Sequence, residues 1–202
     1  MNKKIINRLV KLIAITIYSL SSNAQNPILP LNSYGVWDRS NAYNISIDTA
    51  YSYLRGISAD VNWSDVQAID SIHFDWSGIQ NALQNGLNNN QMVDISVNVG
   101  PDAPGWIYSL VDSVVTNDST HLNWYHYPYY LNVNYARYYF NLIDSLSSYL
   151  RHLPANYFDR IAYVQVKTGC TGDEVPYKGN PIDSSYNISN AGWRTFRLNA
   201  FD

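Results

Sequence analysis

The sequence predicts an α/β fold built on a parallel sheet, and two observations carry that expectation. Apolar, β-branched segments of strand length alternate with stretches of helical periodicity. Each strand-like segment then ends in a loop bearing Trp, Asn or a carboxylate. Such alternation calls for crossover helices and gathers polar and aromatic groups at one edge of the sheet. With 202 residues the chain is long enough for one domain with a sizeable core. A hydrophobic fraction of 46% with 14% charged residues places it among folded globular proteins.

The elements follow in order. Residues 1–24 predict a secretory signal, with Lys3, Lys4, Arg8 and Lys11 ahead of an apolar run at 12–20 and small residues Ser22 and Ala24 at the cleavage position. The product is then secreted or periplasmic, with its mature start near Gln25; the alternative is an amphipathic N-terminal helix. The apolar run is too short to span a bilayer, so no membrane span is expected in the mature chain. Pro27 and Pro30 make residues 25–33 an extended lead-in. Residues 34–37 read as a short strand, 47–53 as a helical turn, and 54–61 as a buried strand closing on Asn62, Trp63, Ser64 and Asp65.

Residues 74–87 have helical spacing, with Trp76, Ile79, Leu83 and Leu87 on one face and Asp75 or Ser77 as the cap. A strand over 92–99 ends at Gly100, Pro101 and a loop containing Pro104, Gly105 and Trp106. Residues 111–133 read as one long polar and aromatic loop, a length that usually signals function. Residues 135–153 are the next helix, with Tyr138, Leu142, Leu146 and Leu150 spaced by four and Pro154 as the stop. A strand at 161–166 follows.

That last strand leads into a Gly-rich loop carrying Asp173 and Glu174. Fifteen of the sixteen acidic residues are Asp, which makes Glu174 the chain's one glutamate. A carboxylate in a loop at the C-terminal end of a buried strand is where an α/β barrel places catalytic acids, although an exposed loop carboxylate would look the same. The 18 Tyr and 6 Trp against 5 Phe suit surfaces that stack on sugar rings or bases, or else a core and its rim.

Several functions are disfavoured. The formal charge is −3, and without the four basic residues of the first eleven positions 9 basic residues face 16 acidic ones, a net of −7. A nucleic-acid partner is therefore not expected. The single cysteine, Cys170, cannot form an internal disulfide, and no cysteine-hydrolase signature surrounds it. The four histidines lack ligand spacing, so no metal site is expected, and no phosphate-binding glycine loop implies a dinucleotide; no cofactor is expected at all.

The segments LRGISADVNWSDV, FDWSGIQNAL and MVDISVNVGPDAPGWIY together resemble the first half of (β/α)8-barrel glycoside hydrolases of the β-galactosidase-like type. Trp63, Phe74–Asp75–Trp76 and Pro104–Gly105–Trp106 match their strand-end tryptophan, their helix-leading segment and their Pro-Trp loop. VQVKTGCTGDEVPYKG resembles the end of their fourth strand. The resemblance covers roughly residues 54–179. It implies a TIM barrel of which residues 25–202 form an incomplete N-terminal part, a secreted enzyme cleaving O-glycosidic bonds of a poly- or oligosaccharide, and Glu174 as acid/base with Asp173 as rival. The nucleophile is expected beyond residue 202, and the 202-residue chain alone is expected to be inactive and poorly stable.

Such cleavage uses two carboxyl groups, one of them a proton donor. Sugar rings need stacking platforms and hydrogen-bonding side chains. Trp63 and Trp106 are the platform candidates, with lids over the barrel mouth as the alternative. Asn98, Gln165 and Tyr177 are the polar candidates, and His126, with Trp124, Tyr125 and Tyr127, a further subsite. The competing function is a non-catalytic carbohydrate-binding or cell-surface protein on a barrel-derived fold.

Overall fold

A computed structural model describes residues 34–39, 53–118, 126–170 and 175–200. The expected signal, residues 47–52 of the expected turn, Trp124, Tyr125, Asp173 and Glu174 lie outside the described residues.

Four strands form a parallel sheet in sequential order: β1 (Val36–Asp38), β2 (Leu54–Asn62), β3 (Met92–Asn98) and β6 (Ile161–Val166). The α/β class and the parallel sheet expected from the alternating pattern are thus present. Two helices cross over between strands, α2 (Ser77–Asn88) between β2 and β3 and α3 (Val133–Arg151) between β3 and β6.

These helices form because their apolar residues fall on one side. Helix α2 buries Ile79, Ala82 and Leu83, while α3 buries Tyr135, Tyr139, Leu142, Leu146 and Leu150. Asp75 accepts a hydrogen bond from the Ser77 amide at 2.9 Å, satisfying one orphan N–H of the first turn of α2. Asn132 does the same for Asn134 at 2.8 Å at the start of α3. Beyond α2, Asn90 takes a left-handed φ of 52° and the Gln91 amide returns to the Gly86 carbonyl at 2.8 Å, which ends the helix. The helices meet Ile57, Ala59, Val61, Val93, Ile95 and Val97 from the sheet in one buried core. Each of the Ile and Val side chains contributes roughly 1.5–3 kcal/mol by leaving water.

The helical faces differ in detail from the expected ones. Trp76 sits at the cap position of α2, stacked on Phe74 and Tyr149, and Leu87 is half-buried. On α3 the buried stripe takes in Tyr135 and Tyr139, while Tyr138 makes a T-shaped contact with Trp106, with centroids 5.0 Å apart.

The stretch 111–133 is a correction. It contains two short antiparallel strands, β4 (Ser113–Val115) and β5 (His126–Pro128), with Val114 opposite Tyr127. Three residues per strand are too few to show as a periodic pattern. Two further helices are single turns, α1 (Trp63–Val66) directly after β2 and α4 (Ala155–Phe158) before β6. The last helix, α5 (Asn190–Asn199), starts at Ser189, whose hydroxyl accepts from the Gly192 amide at 3.1 Å. It inserts Trp193 and Phe196 among Tyr130, Tyr135 and Tyr139. No helix among the described residues is long and apolar enough to cross a membrane.

Candidate functional site at the strand ends

The sheet face turned away from the helices is polar, and the register explains why. Strands β2, β3 and β6 pair so that Ser58, Asp94 and Tyr163 lie side by side, followed by Asp60, Ser96 and Gln165. Asn62 and Asn98 form the next row, and Lys167 follows Val166 out of β6 to join them. Alternate residues point to opposite faces, so three polar rows rise towards the C-terminal edge.

The first row is closed. Asp94 is buried and accepts hydrogen bonds from Ser58 Oγ at 2.9 Å and Tyr163 Oη at 2.7 Å. Burial, with the bond to the Asp94 carboxylate second, pushes the Tyr163 hydroxyl up to about 12. Trp37 of β1 lies across Gly56 at the foot of this face and tilts against Tyr163, with centroids 6.1 Å apart. Any Cβ at position 56 would collide with that indole ring, so glycine is required for the close approach.

The upper rows are less closed, with Asp60, Asn62, Asn98 and Lys167 each half-buried. Lys167 Nζ donates to Asn98 Oδ1 at 2.6 Å and to Asp60 Oδ1 at 3.2 Å. Asn98 Nδ2 donates onward to Asn62 Oδ1 at 3.1 Å, and Ser96 Oγ donates to Asp60 Oδ1. Arg39 Nη2 approaches the other Asp60 oxygen at 3.5 Å. The Asp60 side chain stays 30% exposed and that of Lys167 17%. Partial burial by itself would raise the Asp60 carboxyl, but the Ser96 bond, Lys167 and Arg39 together hold it below the usual carboxylate range.

A second carboxyl follows β3. Gly100–Asp102 is a single 3-10 turn, and Gly100 takes a φ of 71° there. A Cβ at position 100 would collide with the Tyr130 hydroxyl, and Tyr108 Oη donates to the Gly100 carbonyl at 3.3 Å. Asp102 is half-buried, and desolvation raises its carboxyl above the usual range. Lys167 opposes that rise and Asp65 on α1 adds to it.

The residues expected from the sequence divide sharply. Asn98 and Gln165 stand on the polar face, Asn98 at the centre of its network. Trp63 is wholly enclosed: its Nε1 donates to Gln67 Oε1 at 2.7 Å and its ring packs on Tyr135 and Tyr139. Trp106 is half-buried, its Nε1 tied to the Gln67 carbonyl at 2.9 Å and its ring in T-shaped contact with Tyr138. As placed, Trp63 is a packing group, while Trp106 keeps part of its ring exposed. Tyr177 is buried against Tyr127 and Tyr130, and His126 is exposed on β5 with Nδ1 3.3 Å from Ser113 Oγ.

Asp60, Asn62, Ser96 and Lys167 were not anticipated as site residues. The signal was present as the period-two pattern Ser58-x-Asp60-x-Asn62 beside Asp94-x-Ser96-x-Asn98. A cavity of about 240 Å³ lined by Val61, Asp65, Asp75 and Ser77 lies on the helix side, at the start of α2. No group of three or more His, Cys, Asp or Glu suited to a metal ion occurs among the described residues. No protein-family model matches the sequence, and comparison with curated proteins finds no match.

Proposed function

We propose that this chain carries part of the saccharide-binding cleft of a secreted glycoside hydrolase built on a (β/α)8 barrel. One observation carries the reading: Asp60, Asn62, Ser96, Asn98 and Lys167 form a single hydrogen-bonded surface at the C-terminal ends of three adjacent parallel strands. Sugars present dense arrays of hydroxyl groups, and a rigid row of amide, hydroxyl and charged groups answers them. Sequential strand order, helices on one face and polar rows on the other also suit a barrel wall whose inner surface leads to the active mouth. The family resemblance adds Glu174 as acid/base.

The test is sugar release from a saccharide panel, with binding measured by calorimetry, on the protein carrying this sequence. N98A is expected to weaken binding at least about tenfold, the equivalent of one good hydrogen bond to a charged group. E174Q is expected to abolish turnover and spare binding. Full binding by N98A on every saccharide that binds would overturn the site.

A second reading, carbohydrate binding without cleavage, is favoured by one observation. Asp60 is already engaged by Ser96, Lys167 and Arg39, as a structural counter-ion would be. Binding that survives with no turnover on any member of the panel would select it.

A further inference from the structure

The amide row at the top of the polar face has a direction. Asn62 and Asn98 are cross-strand partners at the C-terminal ends of β2 and β3. Lys167 Nζ donates to Asn98 Oδ1 at 2.6 Å, and Asn98 Nδ2 donates to Asn62 Oδ1 at 3.1 Å. A carboxamide can be turned over, exchanging its oxygen and nitrogen, with little change of shape. A lysine ammonium group, however, has three donors and no acceptor. The Asn98 atom that faces Lys167 must therefore be its oxygen. The Asn98 nitrogen then points to Asn62, which must answer with oxygen, and the Asn62 nitrogen is left over. One cation thus orients two amides.

The surroundings hold that arrangement in place. Asp60 accepts from Lys167 Nζ at 3.2 Å and is itself engaged by Ser96 and Arg39, which anchors the cation from its other side. Asn62 directly precedes α1, where an asparagine side chain usually accepts from a first-turn amide, yet it makes no such bond. Its Oδ1 serves Asn98 instead, and its Nδ2 has no partner among the described residues. Asn62 is half-buried, and its unpartnered nitrogen, unlike the Tyr130 hydroxyl, is not sealed in the interior.

We propose that Asn62 is a ligand-contacting residue offering N–H donors to an acceptor oxygen, and that Lys167 is the positioning residue that fixes this polarity. The inference rests on the reading of the strand ends as a saccharide-binding site and names what that site selects. At the Asn62 position it takes a sugar hydroxyl in its accepting role, with the proton of that hydroxyl directed elsewhere.

Fluorine and hydrogen substitutions separate the two roles of a hydroxyl, because C–F accepts weakly and never donates, while C–H does neither. The probes are methyl β-galactoside, β-glucoside and β-mannoside, each intact and with single hydroxyls replaced by fluorine or by hydrogen, titrated by NMR. At one hydroxyl, hydrogen is expected to weaken binding about tenfold and fluorine distinctly less. K167R, which again presents donors only, should preserve that difference, and K167M should erase it. N62D puts an acceptor in place of the N–H donors at almost the same shape, so fluorine should there cost as much as hydrogen. Side-chain amide exchange supplies a readout without sugar. The Asn98 Nδ2 protons should exchange more slowly than those of Asn62 and lose that protection in K167M.

Equal costs of fluorine and hydrogen at every hydroxyl of a glycoside that binds would overturn the polarity and leave the saccharide reading standing. So would a difference that survives in K167M or N62D, or Asn98 protons that exchange as fast as those of Asn62. No binding of any of these glycosides by the wild-type protein would overturn the ligand role of Asn62 together with the saccharide reading.

Discussion

On the helix side of the sheet, Ile57, Ala59, Val61, Val93, Ile95 and Val97 are buried in a continuous apolar layer under α2 and α3. On the opposite side, one residue away along the same strands, Ser58, Asp60, Asn62, Asp94, Ser96 and Asn98 form hydrogen-bonded rows. The first face stabilises by excluding water, without direction. The second gains little net energy per bond, yet loses heavily if one partner of a bonded pair is removed. One set of strands therefore supplies both a scaffold and a surface with fixed polar geometry, because successive side chains alternate.

The comparison can be broken most forcefully from the apolar side. Ile95→Ala should destabilise the fold by about 3 kcal/mol, measured by urea unfolding, because Ile95 is wholly buried and little can collapse into the gap. A loss below about 1 kcal/mol would mean that the helices do not pack there as described.

On the polar face Lys167→Met should cost about 2 kcal/mol at neutral pH, since it strips donors from Asp60 and Asn98 together. If Lys167 were only a solvated surface cation, the unfolding midpoint would barely move. Gly100→Ala should cost about 1–3 kcal/mol, from the left-handed backbone and the collision with Tyr130.

The two carboxyl groups should respond to pH with opposite signs. Asp60 has a lowered folded-state value, so its contribution is present above the ordinary carboxylate value of about 4 and is lost as pH falls through the folded value. The stability gap between wild type and D60N should therefore close in acid; a gap constant down to pH ~2 would mean that charge plays no part. Asp102 has a raised folded-state value, so stability is lost as pH rises through it. D102N should be slightly more stable than wild type at neutral pH and equal to it in acid, as thermal melts at both pH values would show. A D102N protein less stable at neutral pH would reverse the sign.

Much of the scaffold was legible in the chain because its signals are local. The strands at 54–62, 92–98 and 161–166 and the two crossover helices are marked by apolar spacing, and Asp75 by its place ahead of it; the Asn132 cap was not read. The polar rows were half legible. Each strand shows the alternation, but treating all three as apolar through their middles hid it, and Lys167 shows nothing in its own neighbourhood that ties it to Asp60.

By itself, then, the sequence determined the α/β alternation, the positions of strands and helices, and the candidacy of Asn98 and Gln165. Only the tertiary structure decided that Trp63 is wholly packed and that Trp106 is half-buried with its N–H tied to a backbone carbonyl. An indole offers an apolar face and one N–H donor, and whether these meet a ligand or Gln67, Tyr135 and Tyr138 depends on residues distant in the chain. Tertiary structure likewise decided the register that sets Asp60 beside Ser96 and brings Lys167 across from β6. Periodicity is written within one strand, whereas register is a relation between strands, set by the packing of both faces at once.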